Sequence, residues 1–302
     1  MNTHPLHSLL NGYEPGNADG YRRGLREAIQ KICLLGLWRG TFFEHAAFYG
    51  GTALRMLYGL DRWSEDLDFS LLEEKPDFRL KAYLNSVRQE LEAWGIKAEV
   101  DVAEKKASQI ESAFIKANTL KTLIDLKIPS TELTRLHRDE VSSVKFELDP
   151  HPPCGFDSES RFLLEPIPFS VRVMSLPDLF AGKMHAVLAR GWTSRVKGRD
   201  WYDLIWFVRN GTPLNLAHLE ARLKQSGHLG LESSLDAVSF QTLLRDRIAE
   251  VDFIQARQDV QPFVPNPAAL QNWSQELFSD LVISSHPNLQ IDITCHRGLK
   301  GL

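Results

Sequence analysis

Residues 48–69 constrain this chain more than any other stretch. They run Phe48-Tyr49-Gly50-Gly51-Thr52-Ala53-Leu54-Arg55, then Arg62-Trp63-Ser64-Glu65-Asp66-Leu67-Asp68-Phe69. A short apolar strand ends in a double glycine, a short helix over Thr52–Tyr58 follows, and a turn leads to a second strand. Side chains alternate along a strand, so Asp66 and Asp68 share one face while Leu67 and Phe69 turn to a core. Two carboxylates on one face repel each other unless a cation lies between them, and an all-oxygen donor set suits Mg²⁺. The glycines let backbone N–H groups come close to an anion, and the helix N-terminus that follows attracts it. A phosphate cradle and a pair of metal carboxylates thus fall within one short segment.

Either half of this pattern alone would be an ordinary turn or a solvated strand face. Together, Gly50-Gly51-Thr52-Ala53-Leu54-Arg55 and Arg62-x-Ser64-x-Asp66-x-Asp68-Phe69 resemble the signature of the DNA-polymerase-β-like nucleotidyltransferase superfamily. They look like its AbiEii/AbiGii branch, toxins of toxin–antitoxin and abortive-infection systems to which the MenT toxins also belong. The fold this implies is α/β (α+β), a nucleotidyltransferase core with a mixed sheet followed by a mostly helical C-terminal domain.

Bulk properties are compatible with that reading. The 302 residues are 43% apolar and 25% charged, ordinary values for a globular protein with room for two domains. The net charge of −4 gives no global field for nucleic acid, so any such field must be local. Cys33, Cys154 and Cys295 are too scattered for a metal or disulfide framework. No basic-then-apolar leader and no apolar run of ~18 residues is visible, so no membrane partner is expected and the cytoplasm is the expected location.

Along the chain, residues 1–17 read as irregular. Tyr21, Leu25, Ile29, Ile32 and Leu35 keep helical period, with Gly36 as the expected stop. Strands are expected at 45–49, 66–72, 96–102 and 142–149, and an amphipathic helix over 77–94. Residues 114–127 are ambiguous between helix and strand. The proline-rich run 150–168 reads as a hinge, placing domains at 1–165 and 166–302. A strand at 169–174 precedes a helix with Ser175 as N-cap and Pro177 in its first turn. Further helices are expected at 199–209, 215–226, 237–250 and 267–282.

Two-metal phosphoryl transfer commonly uses a further acid. Val144, Phe146 and Leu148 alternate with Lys145, Glu147 and Asp149, offering Glu147 and Asp149 on a polar face. Lys145-Phe146-Glu147 resembles the third-carboxylate strand of the superfamily, which favours Glu147, since Asp149 sits at the strand end beside Pro150. Downstream, Lys183, Arg190, Arg195, Lys197 and Arg199 occur without an intervening acid, with His185 among them, and Asp200-Trp201-Tyr202-Asp203 follows. A concentrated positive loop beside aromatics suits a triphosphate or an RNA backbone. Lys183, Arg195, Lys197, Arg199, Asp200, Tyr202 and Asp203 resemble the second AbiEii signature.

The resemblance implies transfer of a nucleotidyl group from an NTP. Asp66 and Asp68 would hold Mg²⁺, with Glu147 as third ligand. Gly50, Gly51, Thr52 and Ser64, with Arg195 and Lys197, would bind the nucleotide. Lys183 and Asp200 would be catalytic, Lys183 neutralising charge on the phosphates or assisting deprotonation if its basic neighbours lower its pKa. RNA would be the acceptor, the 3′ end of tRNA fitting the family best, and there is room for a cognate antitoxin. Two alternatives stay open at this point: transfer to a protein hydroxyl, and a nucleotide-binding interaction module without turnover.

Overall fold

A computed structural model describes residues 6–10, 13, 18–103, 110–126, 128, 130–153, 155–191 and 196–284. The chain divides into two compact units. Unit 1 takes Met1–Tyr58, Ser64–Pro152 and Glu159–Val173; unit 2 takes Gly59–Trp63, Pro153–Ser158 and Met174–Leu302.

Unit 1 holds α1 (Leu6–Leu10), α2 (Ala18–Arg39), β1 (Ala46–Tyr49), α3 (Gly50–Tyr58), β2 (Leu67–Leu71), α4 (Leu84–Ala93), β3 (Ala98–Ala103), β4 (Glu111–Asn118), α5 (Thr119–Asp125), β5 (Val141–Asp149), β6 (Ser158–Leu163) and β7 (Phe169–Met174). The last two strands reach one residue into unit 2 at Ser158 and Met174. The described strands form one mixed sheet, ordered β3-β4-β5-β2-β1-β7-β6. β2 pairs antiparallel with β1 and parallel with β5, while β1 runs parallel to β7. Phe48, Phe69 and Phe146 come from three adjacent strands and are fully buried, with ring centroids 5.4 and 6.1 Å apart along the row. Phe42 meets Phe69 edge-on at 5.0 Å. Each buried ring contributes roughly 2–3 kcal/mol of apolar burial, so the strands that carry the acids are anchored from their opposite face.

Several expectations shift. Gly36 does not stop α2, which continues to Arg39. A Cβ on Gly36 would lie 2.7 Å from the Val87 Cα, so this glycine lets α2 approach the α4 backbone. The ambiguous 114–127 segment resolves into β4 and α5, with the Asn118 side chain capping α5 by accepting from the Lys121 N–H at 2.8 Å. The expected hinge contains β6, an edge strand exposed along most of its length, so little apolar alternation marks it in the sequence. Residues 77–94 split into a 3₁₀ turn at Leu80–Tyr83 and then α4.

Unit 2 holds α6 (Leu176–Ala189), α7 (Gly198–Arg209), α8 (Leu216–Gln225), α9 (Ala237–Glu250), α10 (Phe253–Val260) and α11 (Gln275–Ser284). Its core stacks Phe180 on Phe207 at 4.4 Å and packs Trp201 edge-on against Phe253 and Phe278, each at 5.2 Å. α10 is not foreseen in the sequence reading, although Asp252 marks its start by accepting from the Ile254 and Gln255 N–H groups. Among the described residues no helix is long and apolar enough to cross a membrane.

Candidate active site

The β2–β5 register decides which acids meet. Leu67 lies opposite Phe146, Asp68 opposite Glu147 and Phe69 opposite Leu148. The two alternating patterns are thus in phase, with apolar partners facing the core and acidic partners side by side on the other face. Adjacent strands run about 4.8 Å apart, so Asp68 and Glu147 are immediate neighbours. Asp149 is instead opposite Ser70, and its carboxylate accepts the His151 N–H at 3.0 Å. Asp66 lies one residue before β2 rather than within it.

Gly50, where β1 passes into α3, packs against Asp68. Its φ of +81° is a left-handed conformation, and a Cβ there would lie 2.2 Å from Asp68 Oδ2. Only glycine meets both conditions. The turn before β2 is held from two sides. The Thr52 hydroxyl donates to the Asp66 carbonyl at 2.5 Å, so this side chain ties the glycine turn to the aspartates. The buried Gln30 amide donates to the carbonyls of Ser64 and Glu65, at 3.2 and 2.8 Å. Arg26 adds an ion pair with Glu65 at 2.6 Å. Gln30 belongs to α2, and no motif in the sequence points to it.

The acids are not gathered around a ready-made metal centre. Glu147 is ion-paired with Lys145, two residues away on the same face. Among the described residues no three His, Cys, Asp or Glu side chains are gathered to hold a metal. The donor chemistry nevertheless fits a hard divalent cation: Asp66, Asp68 and Glu147 offer only oxygen, and a Cβ at Gly50 would fill the space beside Asp68.

The second motif forms a separate network inside unit 2. Asp203 is fully buried and accepts from Arg62 twice, Nε to Oδ1 at 2.6 Å and Nη2 to Oδ2 at 2.7 Å. Lys183 Nζ lies 2.7 Å from Asp203 Oδ2 and 3.7 Å from Asp200 Oδ1, and Arg190 Nη1 lies 2.8 Å from Asp200 Oδ2. Burial pushes the Asp203 pKa up, but the charges of Arg62 and Lys183 outweigh it and hold the carboxyl below its usual range. Three cations thus share two carboxylates.

This network corrects the picture of an acid-free positive loop. Lys183 and Arg190 are engaged by the aspartates that follow them in sequence, and the Arg199 guanidinium lies 4.3 Å from the Phe263 ring centroid. Basic residues surround Lys183 in sequence, but its ion-pair partners in the structure are Asp200 and Asp203. His185, which stands among these basic residues in sequence, adds no positive charge at neutral pH: burial, with Arg222, His228 and Arg190 nearby, lowers its pKa to about 4. Lys197 occupies the N-cap position of α7. Arg195 lies outside the described residues. Arg62 is the residue whose importance sequence reasoning missed, although it stands within the first motif.

A family model for the nucleotidyl transferase AbiEii toxin of type IV toxin–antitoxin systems matches residues 32–278. The chain belongs to the AbiEii family. It is therefore a nucleotidyltransferase of the toxin class, and its family implies an antitoxin partner and a nucleotide substrate. Among solved structures it is similar to JHP933 from Helicobacter pylori, with 16% identity, a TM-score of 0.50, and coverage of 89% of this chain and 93% of that one. A second H. pylori structure, provisionally described as a nucleotidyltransferase, shares 17% identity at a TM-score of 0.48, covering 88% and 95%. The first likeness is one of fold. No curated protein matches the chain.

Proposed function

We propose that this AbiEii-family chain transfers a nucleotidyl group from an NTP to the 3′ hydroxyl of an RNA, in a Mg²⁺-dependent reaction. The observation that carries this reading is the β2–β5 register, which makes Asp68 and Glu147 direct partners beside the Gly50 turn. The acceptor most consistent with the family is the 3′ end of tRNA. Extending that end would prevent aminoacylation and so stop translation. Both substrates are cytoplasmic, and the protein would act there.

In the reaction the acceptor oxygen attacks the α-phosphorus, the α–β phosphoanhydride bond breaks, pyrophosphate leaves, and the hydroxyl proton is released. Asp66, Asp68 and Glu147 are the residues that would hold Mg²⁺, which would screen the triphosphate and lower the pKa of the attacking hydroxyl. For Glu147 to take part, its carboxylate must exchange Lys145 for the cation. The N-terminus of α3, opened by Gly50 and Gly51, presents backbone N–H groups suited to phosphate oxygens, with Ser64 and Lys197 as further nucleotide contacts. Thr52 serves by holding Asp66 through its carbonyl. Lys183 is the residue assigned to neutralise the transferring phosphates, and Asp200 and Asp203 fix the direction of its ammonium.

Kinetics of single substitutions test these roles. Asp66→Ala and Asp68→Ala should each abolish transfer while the protein stays folded, because removing one of two neighbouring carboxylates relieves repulsion. Lys183→Ala should lower turnover at saturating NTP and RNA. Near-normal turnover in the aspartate variants would refute the carboxylate site. Full turnover in a folded Lys183→Ala protein would make the lysine structural.

A further inference from the structure

Strand order sets the side from which an acceptor can reach the acids. Across the sheet of unit 1 the order runs β3-β4-β5-β2-β1 before β7 and β6. The glycine turn suited to phosphates joins β1 to α3, and Gly50 packs on Asp68 from that side. Glu147 flanks Asp68 on the other side, on β5. In an in-line displacement the attacking oxygen and the leaving group lie on opposite sides of the reacting phosphorus. With the triphosphate on the β1 side, as proposed above, the acceptor approaches over β5 and β4.

On that side the register places Ser112 opposite Glu147, Phe114 opposite Lys145 and Lys116 opposite Ser143, with Asp101 of β3 opposite Phe114 in turn. These residues share the face of the acids, because Ala113, Ile115 and Ala117 alternate with them and are buried on the other face, like Phe146. The shared face is open to solvent: the side chains of Lys145, Glu147, Lys116 and Asp101 are 27, 30, 41 and 54% exposed. Phe114 is half-buried there and is the aromatic residue on this face of β3, β4 and β5, between Ser112 and Lys116 on its own strand. Among the described residues no other ring packs against it, and the Lys116 ammonium lies 6.0 Å from its centroid. Lys116 is held by Asp101 at 2.6 Å and Lys145 by Glu147, so the ring, more than the charge, is what this face offers a ligand. We propose that Phe114 is the stacking platform for an unpaired nucleobase of the RNA acceptor near its 3′ end. The ring stands two strand spacings, about 10 Å, from β2, which leaves room for the reacting ribose between it and the acids. Aromatic faces hold unpaired bases without selecting among them. The exchange that gives Glu147 to the cation also releases the Lys145 ammonium directly opposite the ring, where it meets the phosphate beside the stacked base. This assignment rests on the proposed transfer to RNA.

Equilibrium binding of short single-stranded oligoribonucleotides to the full-length Asp68→Ala protein tests the platform without turnover. A series with an abasic site at successive positions from the 3′ end locates the stacked base. One abasic position near that end should weaken binding about tenfold, within the range expected for stacking a single base. Adding Phe114→Ala should weaken binding of the intact strand by a similar factor and remove the penalty at that position. Phe114→Trp, which keeps an aromatic face, should restore both. In the active protein, Phe114→Ala should raise KM for RNA about tenfold and leave KM for NTP as it was. An abasic profile that is the same with and without the ring, or RNA binding that ignores Phe114→Ala, would overturn the platform. A raised KM for NTP with that for RNA unchanged would overturn its assignment to the acceptor. RNA that binds through Phe114 yet receives no label would uphold the platform and refute the transfer reaction, so the two failures are distinct.

Discussion

At the scale of single residues, the site depends on where a side chain is forbidden as much as on where one is required. Gly50→Ala would place a methyl group 2.2 Å from Asp68 Oδ2 and hold alanine at a φ of +81°. The left-handed conformation costs roughly 1–2 kcal/mol, and the displaced carboxylate should cost most of the activity. Urea denaturation and a turnover assay on the same sample separate the two effects. Asp203 sets a different test. Its pKa is depressed in the folded state, so the stability it contributes is present above its unfolded pKa of about 3.9 and is lost as pH falls below it. Asp203→Asn should remove that acid-side loss and lower stability at neutral pH by roughly 3–5 kcal/mol, because Arg62 is left buried without its counter-charge. Urea midpoints measured from pH 3 to 7 would show a flattened profile for the variant. An unchanged profile would mean that the Arg62–Asp203 pair is energetically silent.

At the scale of elements, the strands that carry the acids were legible because two physical signals coincide in each. Residues 67–69 and 144–148 alternate with period two and have bulky apolar groups at the buried positions. The same alternation predicted that Glu147 shares a face with its polar neighbours, but only the register could make it the partner of Asp68. Register depends on strand order, and β2 and β5 are separated by 69 residues of chain. Arg62 and Gln30 were illegible for a related reason: a long-range hydrogen bond leaves no local period. Gly36 misled because glycine has two uses in a helix, ending it or letting another backbone come close, and the sequence does not distinguish them. The close-approach reading predicts that Gly36→Ala, although it raises helix propensity, destabilises the protein by about 1–3 kcal/mol as α2 is forced from α4. A thermal melt decides it: a raised Tm would show that the contact with Val87 is loose.

At the scale of the whole molecule, a net charge of −4 coexists with local cationic groups. Association with the proposed RNA acceptor should therefore come from local patches and weaken steeply with salt, with little contribution from a long-range field. The chain's family membership makes it a nucleotidyltransferase toxin, and the proposed acceptor of the nucleotide is the 3′ end of an RNA. The most direct measurement incubates the purified protein with total RNA and each α-labelled NTP in turn, with and without Mg²⁺, then separates RNA from protein and maps the label. Label is expected at RNA 3′ ends, dependent on Mg²⁺ and absent with Asp68→Ala. Label retained on protein after RNA is removed, or incorporation into RNA that survives in Asp68→Ala, would contradict it.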